Sequence, residues 1–325
     1  MTLSKIEWTD RSDWNPIRGC TRVSPGCGGP GPHGGCYAEA MAARFSDPGQ
    51  WGHTFAERTP AGGRWTGKVE LQEDRVTLPL RWAKGVPGRN KCFITSTSDP
   101  FHEGISDIEI DLLFAVMALR PDWIFQVLTK RSQRMREYLL HRQSSKFRWE
   151  AALDAVRTNQ SPFQLGDALE WLSRRGPLPN VWQGVSCEDQ QRWDECTADL
   201  KATPAAVRWV SAEPLLGPIE TGFGWVHHHP DNDRSNPALA QLVRAARRNL
   251  DPGAIDWVVV GGESGPRARP MPADWARSLH DQCANAGVAF FFKQWGSNPI
   301  DVCKSPRIGK GGNLLDGALH AEFPG

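Results

Sequence analysis

The chain has 325 residues, 38 basic and 37 acidic, for a formal net charge of +1. That balance excludes any long-range pull on nucleic acid or on a membrane surface, so such contacts would have to be local. No signal-peptide-like apolar core opens the chain and no run approaches ~18 apolar residues, so the sequence reads as a cytoplasmic protein without a membrane span.

In chain order, the first predicted element is a strand over 13-DWNPIRG-19. It runs into Cys20, Cys27 and Cys36, spaced C-x6-C-x8-C, and every residue between Cys27 and Cys36 except His33 is Gly or Pro. Short apolar runs then recur at 92-CFITST-97, 123-WIFQVLTK-130, 181-VWQGVS-186, 207-VRWVSAEP-214, 256-DWVVVGGES-264 and 289-AFFFKQWG-296. Most are nearly continuous in Val, Ile, Phe and Trp, as strands buried on both faces of a parallel sheet are. Between them lie helical stretches at 107–119, 189–202 and 273–287, the last opening after Pro272 and closing on Gly287. About seven βα units predict an α/β fold of parallel strands, a partial or full (βα) barrel, with a doubly wound open sheet as the main rival. The chain reads as one domain, residues 1–325, with polar insertions around 140–178 and 221–252. The second contains His227, His228, His229 and Asp231, read as an exposed loop tract. Cys92, Cys187, Cys196, Cys283 and Cys303 stand singly and read as buried inert thiols. The fifteen Trp are assigned to the core.

In parallel α/β folds the chemistry sits at the C-terminal ends of the strands. Here every strand end carries polar or charged residues beside small ones: 95-TSTSDPFHE-103, 129-TKR-131, 184-GVSCED-189, 211-SAEPLLG-217, 261-GGESGPRARP-270 and 293-KQWG-296. Singly these are helix caps, turns or solvated strand ends. Together they predict a polar pocket large enough for a cofactor and a substrate.

Three clustered thiols in a reducing compartment argue against a disulfide framework. Soft thiolates select zinc or iron–sulfur clusters. A structural zinc wants four ligands, and His33 offers a fourth. An iron–sulfur cubane held by three cysteines leaves one iron open to an outside ligand.

Several blocks together carry a resemblance: 7-EWTDRSDWNPIRGCTRVSPGC-27, 36-CYAEAMAARF-45, 98-SDPFHE-103, 126-QVLTKRSQRM-135, 180-NVWQGVSCEDQ-190, 209-WVSAEPLLGPI-219, 257-WVVVGGESGPRARPM-271, 290-FFFKQWG-296 and 314-LLDG-317. Across nearly its whole length the chain resembles a phage-associated family, also found in bacteria, of three-Cys-motif, radical-SAM-like proteins. Its opening 15-NPIRGC-20 also resembles that of spore-photoproduct-lyase-like proteins. It departs from many relatives in having eight residues, not two, between the last two cysteines.

The resemblance implies a barrel of radical SAM type. In it Cys20, Cys27 and Cys36 would bind a [4Fe–4S] cluster whose open iron takes the amino and carboxylate groups of S-adenosylmethionine (SAM). SAM would be cleaved reductively, with electrons from a flavodoxin- or ferredoxin-type donor. Ser96, Ser98 and Asp99 are placed for SAM's amino group. Tyr37, Ser186, Glu188, Gly261, Gly262 and Glu263 are further cofactor-contact candidates. Lys130, Glu213 and Lys293 are the catalytic candidates, the lysines suiting a carboxylate or phosphate. The substrate stays open, nucleic acid and nucleotides included. The alternatives are a zinc-stabilised Cys3His binding module, whose basic stretches 129–136 and 243–248 could contact nucleic acid, and a barrel hydrolase with incidental cysteines.

Overall fold

The computed structural model describes residues 4–28, 35–144, 146–156, 176–224, 246, 250–301 and 311–324. His33, the 227–231 tract and Cys303 lie outside them. Six of the seven predicted strands form one sheet: β5 (Lys91–Phe93), β6 (Ile124–Thr129), β7 (Val181–Ser186), β8 (Val207–Ala212), β9 (Trp257–Gly261) and β11 (Ala289–Gln294). The order is β11-β9-β8-β7-β6-β5, and the β5/β6, β8/β9 and β9/β11 registers are parallel. An order that follows the chain has no switch point, so it fits the winding of a partial (βα) barrel and not a doubly wound sheet. Strands β7, β8, β9 and β11 are buried almost throughout, which explains their unbroken apolar runs. Aromatic pairs stitch adjacent strands: Trp209 and Trp257 are register partners, with ring centroids 5.3 Å apart.

The predicted first strand is the main departure. Its 13–19 stretch yields only β1 (Ile17–Arg18), which pairs antiparallel with β4 (Glu70–Leu71). Just before it, Arg11 makes a single parallel bridge to Cys92, and Thr95 N–H donates to Trp14 O. Pro16 has no N–H for a ladder, so the segment follows β5 without joining it as a full strand.

The helices follow local signals. α3 (Asp107–Ala118) opens with a reciprocal capping box between Ser106 and Glu109, and its last turn meets the side-chain amide of buried Asn180, which donates to Met117 O and Arg120 O. α6 (Gln190–Ala202) follows β7. α7 (Ala273–Ala286) ends on Gly287 in the left-handed region, φ 65°. The 140–178 stretch is in part helical: α4 (Ser132–Ser144) enters it and α5 (Lys146–Val156) lies within it. No helix of the described residues is long and apolar enough to cross a membrane.

By internal contacts the chain divides into two compact units. The first is Met1–Val23, Cys36–Gly184 and Thr203–Ala206; the second is Ser24–Gly35, Val185–Ala202 and Val207–Gly325. In the first unit, α1 (Tyr37–Arg44) packs on an antiparallel hairpin, β2 (Ala56–Thr59) and β3 (Gly62–Trp65), that sequence periodicity does not reveal. Buried Glu39 fastens this sub-assembly. Its carboxylate accepts from Arg22 Nε and Nη2 and from Trp65 N–H at 2.9 Å. Truncating it leaves the Trp65 amide without its acceptor, so Glu39→Ala is expected to cost about 1–3 kcal/mol in urea unfolding. Glu39→Gln, which keeps one acceptor, should cost less. Equal stability of wild type and Glu39→Ala would refute this role.

Candidate functional site: strand ends and the cysteine loop

In the first unit the polar ends of β5 and β6 close on Arg131, a residue that the sequence reading passed over for its neighbour Lys130. Arg131 is buried. It donates from Nε to both Glu103 oxygens (3.0 and 2.9 Å), from Nη1 to Asp99 Oδ2 (3.1 Å) and from Nη2 to Thr21 Oγ1 (2.7 Å). Its Nη1 also lies 3.9 Å from Cys20 Sγ. Burial works against the charge, but Asp99, Cys20 and Glu103 outweigh it and hold the guanidinium's pKa above its ordinary value. Buried His102 accepts from Gly104 N–H at Nδ1, so its Nε2 carries the proton and donates to Thr21 Oγ1 at 2.8 Å. Burial and the neighbouring Arg131 keep this imidazole below the usual histidine range.

The serine candidates are engaged with backbone. Ser96 Oγ donates to Ser12 O and Ser98 Oγ to Ile17 O, which ties the N-terminal segment to the end of β5. Asp99 is a scaffold residue as well: it accepts from Thr129 Oγ1, Phe101 N–H and Lys130 N–H. The Lys130 side chain is half-buried, and Tyr37 opens α1 with its ring largely exposed.

In the second unit the candidates divide into two groups. Glu213 Oε1 pairs with Lys293 Nζ at 3.0 Å, its Oε2 accepts from Ser211 Oγ at 3.0 Å, and its carbonyl accepts from Ser186 Oγ at 3.2 Å. The predicted catalytic residues Glu213 and Lys293 therefore form one partly buried ion pair. The Gly261-Gly262 pair is dictated by space. A Cβ on Gly261 would sit 2.6 Å from Glu213 Oε1, and one on Gly262 would sit 2.1 Å from Trp295 O.

Glu188 and Glu263 turn toward the cysteine loop instead. Fully buried Glu188 accepts from Gly26 N–H at 2.7 Å. Glu263 accepts from Gly35 N–H at 3.0 Å and is forked by Arg269, Nε to Oε2 and Nη2 to Oε1, both 2.9 Å. Arg269 Nη1 reaches on to Pro25 O at 2.8 Å. Burial raises the Glu263 carboxyl, but Arg269 and the Gly35 amide more than reverse this, leaving it below its ordinary 4.5. Arg269 went unnoticed in 261-GGESGPRARP-270, where its place six residues after Glu263 was the only signal.

Cys20 and Cys36 pack against one apolar cluster that includes Ala42, Phe55 and Trp65. Cys27 closes a short 3-10 turn, Pro25–Cys27, with its Sγ 3.7 Å from Ser24 Oγ. None of the three is in a disulfide. In chemistry this donor set suits zinc or an iron–sulfur cluster. Among the described residues no group of three or more His, Cys, Asp or Glu is disposed to hold a metal ion.

A family model described as "Protein of unknown function (DUF5131)" matches residues 3–324, and the chain belongs to that family. No curated protein and no solved structure matches the chain.

The glycine pair gives a graded expectation. The atom opposing Gly261 is the end of a flexible side chain, whereas the atom opposing Gly262 is backbone. Gly261→Ala should displace the Glu213 carboxylate at about 1–3 kcal/mol, and Gly262→Ala should be the more damaging of the two in urea unfolding. The reverse ranking would show that the glycines serve something other than close packing. Glu263 predicts a pH effect. Because its folded pKa is depressed, its contribution is complete above about 4.5 and is lost as pH falls through the folded value. Arg269→Ala should therefore move the acid-unfolding midpoint, followed by Trp fluorescence, to higher pH. An unmoved midpoint would show that the pair adds no pH-dependent stability.

Proposed function

We propose that this member of the DUF5131 family is an iron–sulfur enzyme of radical SAM type, with Cys20, Cys27 and Cys36 as the cluster ligands. The observation that carries the reading is Arg131 beside Cys20: a buried guanidinium N–H 3.9 Å from the sulfur is a donor in reach of a thiolate ligand. The polar residues gathered at the strand ends support it. When bound, a three-cysteine cluster supplies electrons and one iron open to the amino and carboxylate groups of SAM.

The chain's own residues have separate tasks in this reading. Arg131 presents its Nη1 to Cys20 Sγ, and Asp99 and Glu103 keep it in place. The apolar cluster that includes Ala42, Phe55 and Trp65 gives Cys20 and Cys36, both half-buried, a packed wall on one side. Lys293, paired with Glu213 Oε1, is one candidate cation for a carboxylate or phosphate of SAM or substrate, and Lys130 in the other unit is a second. A flavodoxin- or ferredoxin-type donor completes the cycle.

Metal analysis tests this directly. Protein purified and reconstituted without oxygen should be brown and contain iron and sulfide. Cys20→Ala, Cys27→Ala and Cys36→Ala should each abolish the chromophore, and His33→Ala should leave it intact. Colourless protein with about one zinc per chain, its affinity lowered as much by His33→Ala as by loss of a cysteine, overturns the reading.

A further inference from the structure

The residues flanking the Gly/Pro loop are held by three side chains from the ends of β7 and β9. On one flank, Gly26 N–H donates to Glu188 and Pro25 O accepts from Arg269. On the other, Gly35 N–H donates to Glu263, which Arg269 also grips with two parallel bonds. One guanidinium thus joins the two flanks, directly at Pro25 and through Glu263 at Gly35. Glu188 is fully buried and Glu263 nearly so. Charge-assisted bonds are strongest when desolvated, and a forked Arg–carboxylate pair fixes direction as well as distance. Gly and Pro supply no side-chain contacts of their own that could set where such a loop begins and ends. Cys27 itself lies between the two anchoring contacts of its flank, at Pro25 and Gly26, and Gly28, whose N–H closes back on Pro25 O.

We infer that Glu188 and the Glu263–Arg269 pair are positioning residues for the cysteine loop: they fix both of its flanks, and with them the place of Cys27, before any metal binds. This differs from the cofactor-contact role that the sequence suggested for the two glutamates. It concerns the metal-free chain, so it stands or falls independently of whether the loop takes iron or zinc.

The test uses the full-length, metal-free protein and the rate at which Cys27 is alkylated by N-ethylmaleimide, read site by site by mass spectrometry. Cys283, fully buried in the same unit, is the internal control. Arg269→Ala and Glu188→Ala should each raise the Cys27 rate at least about tenfold, the factor carried by one buried charge-assisted hydrogen bond. Cys283 should stay protected and the melting temperature should fall only slightly. Exchange of the Gly35 amide should quicken in Arg269→Ala and in Glu263→Ala. A Cys27 rate within about twofold of wild type in both alkylation variants overturns the inference. So does a parallel rise at Cys27 and Cys283, because it would mean that these residues stabilise the unit as a whole and do not position the loop. Metal analysis of the same wild-type protein decides iron against zinc separately.

Discussion

Inside a protein, a backbone N–H that belongs to neither helix nor sheet must still find an acceptor. Buried carboxylates meet that demand in each unit: in the first, Asp99 takes the amides of Phe101 and Lys130; in the second, Glu188 takes that of Gly26 and Glu263 that of Gly35. Much of the irregular chain at the ends of the sheet is organised by this constraint, because strand ends turn into loops where ladder hydrogen bonding stops.

Buried carboxylates bring a second demand, since an uncompensated charge in the interior is costly. Three arginines answer it. Arg131 serves Asp99 and Glu103, Arg22 serves Glu39, and Arg269 serves Glu263. Two of them have donors left over for oxygens of the cysteine segment: Arg131 at the Thr21 hydroxyl and Arg269 at Pro25 O. The near-neutral net charge therefore conceals a set of local ion pairs. Electrostatics here organises loops at short range and does not attract partners over distance.

That division of labour bears on function. Many polar residues at strand ends in this chain hold structure: Ser96 and Ser98 fasten the N-terminal segment, and the Gly261-Gly262 pair makes room for Glu213 and Trp295. The Glu213–Lys293 pair differs, since neither residue holds a loop amide. A reaction centre that uses the thiols would thus be framed by residues whose first task is to keep irregular backbone in one conformation.

Much of the architecture was legible in the residues themselves. Unbroken apolar runs marked six strands because both faces of a parallel sheet are covered, and Pro272 and Gly287 marked the two ends of α7, the one by its missing N–H and the other by its left-handed φ. The β2–β3 hairpin was not legible, since its polar, Gly-containing sequence is half exposed and lacks clean alternation. Nor was the antiparallel pairing of Ile17–Arg18, because a strand's partner is set by what packs beside it. The same limit governs the site. Sequence alone put Asp99, Glu188, Glu213 and Glu263 just past strands, at the ends where parallel folds gather their polar groups. Only the tertiary structure decided what those acids face. Glu188 and Glu263 meet amides 162 and 228 residues away in sequence, and no local pattern encodes a hydrogen bond across such a distance.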